Sequence, residues 1–329
     1  MDKVSKVVWG IIGAGDVCEV KSAPAMSKIQ NSEVKTVMRR NAEKVADFAK
    51  RHHIKNHTTN VDDIFSDKEI NAVYIATPPD SHAELTIKAA QAGKAVYVEK
   101  PMARTTEECR EMIDACKKAD VPLFVAYYRR ALPGFLKVKE LVGSGKIGEI
   151  RTVTIEMYQK LSASDTATTN WRVLPDISGG GYFHDLASHQ LDYLDFLFGE
   201  ITDCHGISGN QAGLYPADDI VSAVFRFKNG VTGIGNWCFS TSAISEKDKI
   251  TLIGSKGEIS FNCFGTPMQI IIKPENGDNE VMEYTHAKPI QEPLVQLIVD
   301  ELRGKGMSPS KGENGLRATA VLSEITKKL

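Results

Sequence analysis

Residues 7–18 read VVWGIIGAGDVC, from Val7 through Gly13, Ala14 and Gly15 to Cys18, and the rest of the chain is read outward from them. The apolar run Val7–Ile12 has the length and β-branched content of a buried strand. It leads directly into Gly13-x-Gly15-x-x-Cys18. The first glycine permits a tight turn and the second lets backbone approach a pyrophosphate. The third position needs a side chain small enough for helix to pack on strand, and cysteine meets that need. The next helix, headed by Asp16 and Val17, would aim its free N–H groups at phosphate oxygens. Glycine turns after strands are common, so the surroundings must decide.

Those surroundings alternate. Strands are expected at Val34–Met38, Ala72–Thr77, Ala95–Glu99 and Leu123–Tyr127. Helices are expected at Ala42–His52, His82–Ala92 and Thr105–Ala119, the last opened by the capping box Thr105-x-x-Glu108. Strands alternating with helices build βαβ units, hence a doubly wound parallel sheet of the α/β class. The second strand runs into Arg39-Arg40-Asn41, and no acidic residue stands between Glu33 and Glu43. NAD-binding domains place a carboxylate about 20 residues after the glycines to hold the ribose 2′-hydroxyl. Arg39, with Arg40 beside it, would instead pair with a 2′-phosphate. The expected cofactor is therefore NADP, with NAD as the alternative and a solvated basic turn as the plain structural reading.

The pattern changes near residue 126. The expected division is a dinucleotide-binding domain over 1–126 and a substrate-binding and oligomerisation domain over 127–329. A helix at Gly134–Val142 and a strand at Ile150–Tyr158 precede a polar, irregular stretch, 160–178, and a helix from Gly181 to Phe198. Hairpin signals follow at Asn229-Gly230, Ser255-Lys256-Gly257 and Glu275-Asn276-Gly277, between apolar runs. Val221, Ala223, Phe225 and Phe227 alternate with smaller or polar residues. This half is expected to carry a large, mainly antiparallel open sheet, with closing helices at Gln291–Arg303 and Gly315–Lys327.

Bulk chemistry narrows the classes. The 329 residues carry a net charge of -2, so no nucleic-acid or membrane partner is implied. No apolar run reaches the roughly 20 residues of a membrane span. The N-terminal apolar stretch is short and broken by glycines, as a strand would be and a signal peptide would not. The six cysteines form no CxxC pair. They read as reduced thiols of a cytoplasmic protein, not a disulfide framework or zinc site.

Three further motifs point to a family: Ala76-Thr77-Pro78-Pro79-Asp80-Ser81-His82, Glu99-Lys100-Pro101, and Gly179-Gly180-Gly181-Tyr182-Phe183-His184-Asp185-Leu186-Ala187-Ser188-His189. In this order, after the N-terminal glycines, they resemble the glucose-fructose oxidoreductase / inositol dehydrogenase family, Gfo/Idh/MocA, over nearly the whole chain. The resemblance implies a Rossmann domain, a C-terminal domain with a large open sheet, and oxidation or reduction of a sugar, polyol or related small molecule. It also implies a homodimer or homotetramer associated through the sheet face. The departures are Cys18 at the third glycine and Arg39 at the acidic position.

Thr77, Pro78, Pro79, His82, Glu99 and Lys100 lie at or after the carboxyl ends of parallel strands, where ligands of such sheets bind. They are the expected cofactor wall. By the same resemblance Lys100, Asp185 and His189 are the catalytic candidates. Hydride transfer at a carbinol carbon must be matched by proton transfer at its oxygen. His189 titrates in the useful range, and Lys100 can stabilise the oxygen's developing charge. A desolvated lysine can also act as base, so the division of roles stays open. Asp185 would orient the substrate hydroxyls or His189. Tyr127, Arg129, Trp171 and Arg172 are candidate substrate contacts, Trp171 offering a ring face and Arg172 a donor fork. His184 and His189 are five apart, which is wrong for a helical zinc pair, and no metal is expected. Two other activities are compatible: cleavage of glycosidic bonds by transient oxidation on a retained cofactor, and non-catalytic regulation by dinucleotide binding.

Overall fold

The computed structural model describes residues 3–161, 170–286 and 288–328. Part of the stretch read as irregular, 162–169, lies outside them. Contacts group the chain into two units: Met1–Ala131 with Ala287–Leu316, and Leu132–His286 with Arg317–Leu329. The sequence placed one boundary at 126; the units divide after 131, and the chain rejoins the first unit over 287–316.

Among the described residues of the first unit six strands pair: β1 (Val7–Ile12), β2 (Ser32–Met38), β3 (Asn56–Thr58), β4 (Ala72–Ile75), β5 (Ala95–Val98) and β6 (Leu123–Val125). Their order is β3-β2-β1-β4-β5-β6, and all pairs are parallel. The order reverses beside β1, which puts a ligand crevice at the carboxyl ends of β1 and β4. β4 and β5 are buried along their whole length, as strands covered on both faces must be. Helices α1 (Ala23–Lys28), α2 (Ala42–Arg51), α3 (Asp62–Ser66), α4 (His82–Gln91) and α5 (Thr106–Lys118) connect them. Asn41 caps α2 by accepting from the Lys44 N–H at 2.9 Å. Thr105 caps α5 by accepting from the Glu108 N–H at 3.1 Å. Each such cap stabilises by about 1 kcal/mol. The reciprocal bond of the capping box falls one residue early, since the Glu108 carboxylate accepts from the Arg104 N–H at 2.9 Å.

The second unit starts with α6 (Pro133–Gly143) and β7 (Ile150–Lys160), followed by α7 (Pro175–Ser178) and α8 (Ser188–Phe198). Then come β8 (Ile201–Gly209), β9 (Ile220–Phe227), β10 (Thr232–Thr241), β11 (Lys247–Gly254), β12 (Gly257–Phe261), β13 (Met268–Pro274) and β14 (Glu280–Tyr284). These eight described strands form one sheet, ordered β14-β13-β12-β11-β7-β10-β9-β8. Only the β7–β10 pairing is parallel within it. The three hairpin signals stand at β9–β10, β11–β12 and β13–β14. One face is covered by helices: Phe135 and Tyr193 both meet Phe261 edge-on, at 6.2 and 5.8 Å, and Phe198 meets Phe227 at 5.2 Å. The other face carries the alternating exposed residues, including Val224 and Ile234. The closing helices are α9 (Glu292–Leu302) and α10 (Gly312–Ile325). No helix among the described residues is long and apolar enough to cross a membrane.

Candidate functional site

Gly13 leaves β1 with φ +90°. Its N–H and that of Ala14 both donate to the Met38 carbonyl, at 3.0 and 3.1 Å. A Cβ on Gly13 would stand 2.8 Å from both N and Cγ2 of Thr77. Backbone angle and close approach thus both demand glycine. Gly15 differs: the nearest atom to its would-be Cβ is the Gly13 carbonyl oxygen, at 3.8 Å. The chain leaves that position open, as a loop must where pyrophosphate comes against backbone. The residues present therefore fit a dinucleotide. Cys18 is fully buried, and its Sγ donates to the Gly13 carbonyl at 3.6 Å. Burial pushes its thiol up to about 12, so it is a neutral filler at the third position.

The helix after this loop begins wide. Cys18–Ser22 is a π-helical turn ahead of α1. Such turns recur at functional sites. Glu19, on that turn, accepts from Arg51 at 2.6 and 2.7 Å and faces His52 Nε2 at 2.7 Å. Arg51 first, then His52, hold its carboxyl down at about 2. Arg39 is half-buried, and its Nη1 donates to the Ala14 carbonyl at 3.2 Å. Its guanidinium thus lies on the glycine loop. Arg40 and Asp16 are exposed, and Val17 is half-buried.

Two loops face this one at the strand ends. Thr77 and Pro78 are half-buried, and Pro79 opens a 3₁₀ turn to Ser81. Ser81 Oγ donates to Thr77 Oγ1 at 2.7 Å. His82 is fully buried. Its Nε2 faces the Thr77 carbonyl at 2.8 Å, and its Nδ1 faces the carbonyls of Pro101 and Met102, both at 3.1 Å. It was expected to line the cofactor wall; its ring instead ties the Thr77 loop to the Lys100 loop. Burial lowers its pKa, and the carbonyls set at both ring nitrogens work against that, since a neutral ring has one N–H to donate.

Glu99 is also buried, and its carboxylate serves the protein interior. Oε1 accepts from Tyr74 Oη at 2.5 Å and Gln291 Nε2 at 2.7 Å, and Oε2 accepts from the Lys100 N–H at 3.3 Å. Tyr97 Oη donates to Gln291 Oε1 at 2.9 Å. Burial, and then the Glu99 charge, raise both phenols well above their usual range. Lys100 itself is half-buried, followed by a cis bond to Pro101. Gln291 escaped the sequence reading. Its one signal was a polar residue just ahead of an apolar helix. Tyr127 and Arg129 are both buried, the Arg129 guanidinium lying 5.1 Å from the Tyr128 ring centre.

In the second unit Asn170 Oδ1 accepts from the Arg172 N–H at 3.2 Å, and its Nδ2 donates to Tyr182 Oη at 3.0 Å. This turn sets Arg172 over the Trp171 ring, at 4.5 Å, and its Nε 3.3 Å from Asp185 Oδ2. Asp185 lies on a second π-helical turn, Phe183–Ala187, that runs into α8 with His189 in its first turn. His189 is buried, its ring centre 6.0 Å from that of Phe264 with the planes 70° apart. His184 lies against Gly180, where a Cβ would stand 2.1 Å from its ring. Burial pushes His184 down to about 4. Trp171, Arg172, Asp185 and His189 thus share one unit, with the first three in mutual or chained contact.

A doubly wound sheet whose glycine loop stays open at Gly15 is the architecture of a dinucleotide-binding domain. Residues 7–127 match the family described as "Oxidoreductase family, NAD-binding Rossmann fold", and residues 135–260 match the "GFO/IDH/MocA C-terminal domain". The chain belongs to the Gfo/Idh/MocA family of oxidoreductases. It is 40% identical over 320 residues to oxidoreductase P35 of Formosa agariphila, covering 97% of this chain and 98% of that one. It is 32% identical over 253 residues to levoglucosan dehydrogenase of Pseudarthrobacter phenanthrenivorans, covering 69% and 64%. Its fold superposes on a levoglucosan dehydrogenase solved with NADH and levoglucosan at TM-score 0.85, with 26% identity over 98% of this chain and 96% of that one.

Proposed function

We propose that the chain oxidises or reduces a carbinol or carbonyl carbon of a sugar, polyol or related small molecule, preferring NADP to NAD. The observation that carries the cofactor half is Arg39, a cation laid on the glycine loop at the end of β2, where a carboxylate would favour NAD. The nicotinamide, when bound, supplies or takes up the hydride. Lys100 donates a hydrogen bond to the reacting oxygen and His189 takes or returns its proton. Asp185, paired with Arg172, orients the hydroxyls. The likeness to a levoglucosan dehydrogenase supports a sugar-type substrate. Val224 and Ile234 pair in register on the exposed sheet face, half open to solvent at 52% and 54%, which supports a homo-oligomer through that face. The six cysteines, with no CxxC spacing among them, support a reducing, cytoplasmic setting.

Fluorescence titration with NADPH and NADH, beside an Arg39→Ala variant, tests the cofactor half. NADPH should bind at least about tenfold tighter, and the variant should lose that margin; one charged hydrogen bond is worth about that much. Equal binding of NADH by the wild type refutes it. For the chemistry, Lys100→Met and His189→Asn should each lower kcat about 10²-fold or more on a panel of levoglucosan, D-glucose and myo-inositol. Unchanged kcat in either variant removes that residue from the proposed roles.

A further inference from the structure

The β11–β12 ladder ends at the pair Ile250–Phe261, and beyond it the two chains separate. The N–H groups of residues 263–265 have lost their strand partners there, and Asp248 supplies a replacement. Its Oδ1 accepts from the Cys263 N–H at 3.0 Å, and its Oδ2 accepts from Phe264 at 2.6 Å and Gly265 at 3.3 Å. The far side of the loop is pinned too. Asn262 Nδ2 donates to the Pro267 carbonyl at 3.1 Å, and Asn262 Oδ1 accepts from the Gln269 N–H at 2.6 Å. A loop fixed by two side chains presents one half-exposed ring, Phe264. α8 runs alongside. Tyr193 meets Phe261 edge-on at 5.8 Å, and one turn earlier His189 meets Phe264 at 6.0 Å with planes 70° apart.

We propose that residues 262–267 form the apolar wall of the substrate site beside His189, with Phe264 as a specificity-determining residue and Asp248 as its positioning residue. The proposal rests on the reading of His189 as the proton-handling group. An aromatic face there suits the C–H face of a sugar ring, with hydroxyls left to Asp185 and Arg172. The ring also fixes the imidazole plane, which a proton transfer to one defined oxygen requires. Asp248 touches neither. It acts by holding three N–H groups in one geometry, as a carboxylate can and a carboxamide cannot, because the amide's NH₂ would confront one of the donors.

The test compares the full-length wild type with Asp248→Asn, Phe264→Leu and the double variant. The first readout is the His189 ring resonance in histidine-labelled protein, assigned by loss in His189→Asn. Removing an aromatic ring from beside it should shift that resonance, and Asp248→Asn should shift it in the same direction. The second readout is steady-state kinetics with levoglucosan, or with whichever of D-glucose and myo-inositol turns over. Each single variant should raise KM for the sugar by tenfold or more with KM for the dinucleotide unchanged. The double variant should be no worse than Phe264→Leu. A melting point lowered by Asp248→Asn with the His189 resonance and sugar KM unmoved makes Asp248 merely structural and overturns the proposal. An unmoved resonance in Phe264→Leu overturns it as well. Retained turnover in His189→Asn would instead defeat the catalytic reading, while the resonance shifts would still judge the loop.

Discussion

Replacing Gln291 by methionine probes whether the Glu99 cluster holds the first unit together. The swap keeps the side chain's length and approximate volume, so no large cavity opens. It removes the 2.7 Å hydrogen bond to the Glu99 carboxylate and leaves the Tyr97 hydroxyl, which donates to Gln291 at 2.9 Å, without that acceptor in a fully buried position. A hydrogen bond to a charged group contributes about 1.5–3 kcal/mol, and a stranded buried hydroxyl costs about 1–3 kcal/mol. The variant should lose about 3–5 kcal/mol, which for a unit of this size is a melting-point drop of roughly 10 °C. Urea denaturation monitored by tryptophan fluorescence measures it, Trp9 lying in the same unit. Tyr97→Phe alone should also destabilise, because it leaves Gln291 Oε1 without its donor. In the double variant the two losses coincide, so it should be no less stable than Gln291→Met. A loss below about 1 kcal/mol for Gln291→Met, or full additivity with Tyr97→Phe, would refute the reasoning.

Gly15→Ala should fold and melt like the wild type, since its Cβ meets nothing within 3.8 Å, yet bind NADPH at least about tenfold more weakly in the same titration, because the methyl enters pyrophosphate space. Unchanged affinity would move the phosphates elsewhere. His184, held at about 4 against an ordinary 6.5, predicts acid lability. The unfolded chain takes up the proton first, so this contribution to stability is complete above pH 6.5 and is lost as pH falls toward 4. His184→Asn should flatten that part of the stability profile by up to about 1.4 kcal/mol per pH unit. Buried His82, shifted the same way, keeps a residual slope. Ile234→Glu, at an exposed position paired with Val224, should drive any oligomer toward monomer in sedimentation velocity without changing the melting point of the folded subunit. An unchanged sedimentation coefficient would clear the sheet face of that role.

Where a residue's surroundings repeat along the chain, its place was legible. The buried strands Val7–Ile12 and Ala95–Val98 and the alternating Val221–Phe227 carry period-two or continuous apolar signals, and they appear as strands. The ends of β4, β5 and β6 were read long and that of β7 short, and for β4 the reason is chemical. Ala72–Thr77 stops at Ile75, although the Ala76 N–H still reaches the Ile12 carbonyl at 2.8 Å. Past it Pro78 and Pro79 have no N–H, so the ladder cannot continue. Short elements such as Asn56–Thr58 and Asp62–Ser66 offer too few residues for any period to register.

What the sequence could not carry is whatever depends on a partner far along the chain. Glu99 reads as a cofactor-facing residue because it precedes Lys100, yet its carboxylate is claimed by Tyr74 and by Gln291, 192 positions away. Its influence on Lys100 runs through the backbone, by accepting the Lys100 N–H. His82 belongs to the same motif and turns inward to bind two loops, for the same reason. A motif therefore marks residues that shape a site together without saying which of them face the ligand. Of the cofactor-binding positions read from sequence, Gly15 stands in open space and Arg39 lays a cationic donor on the glycine loop. That is why substitutions at those two positions, more than at Glu99 or His82, separate dinucleotide affinity from the stability of the fold.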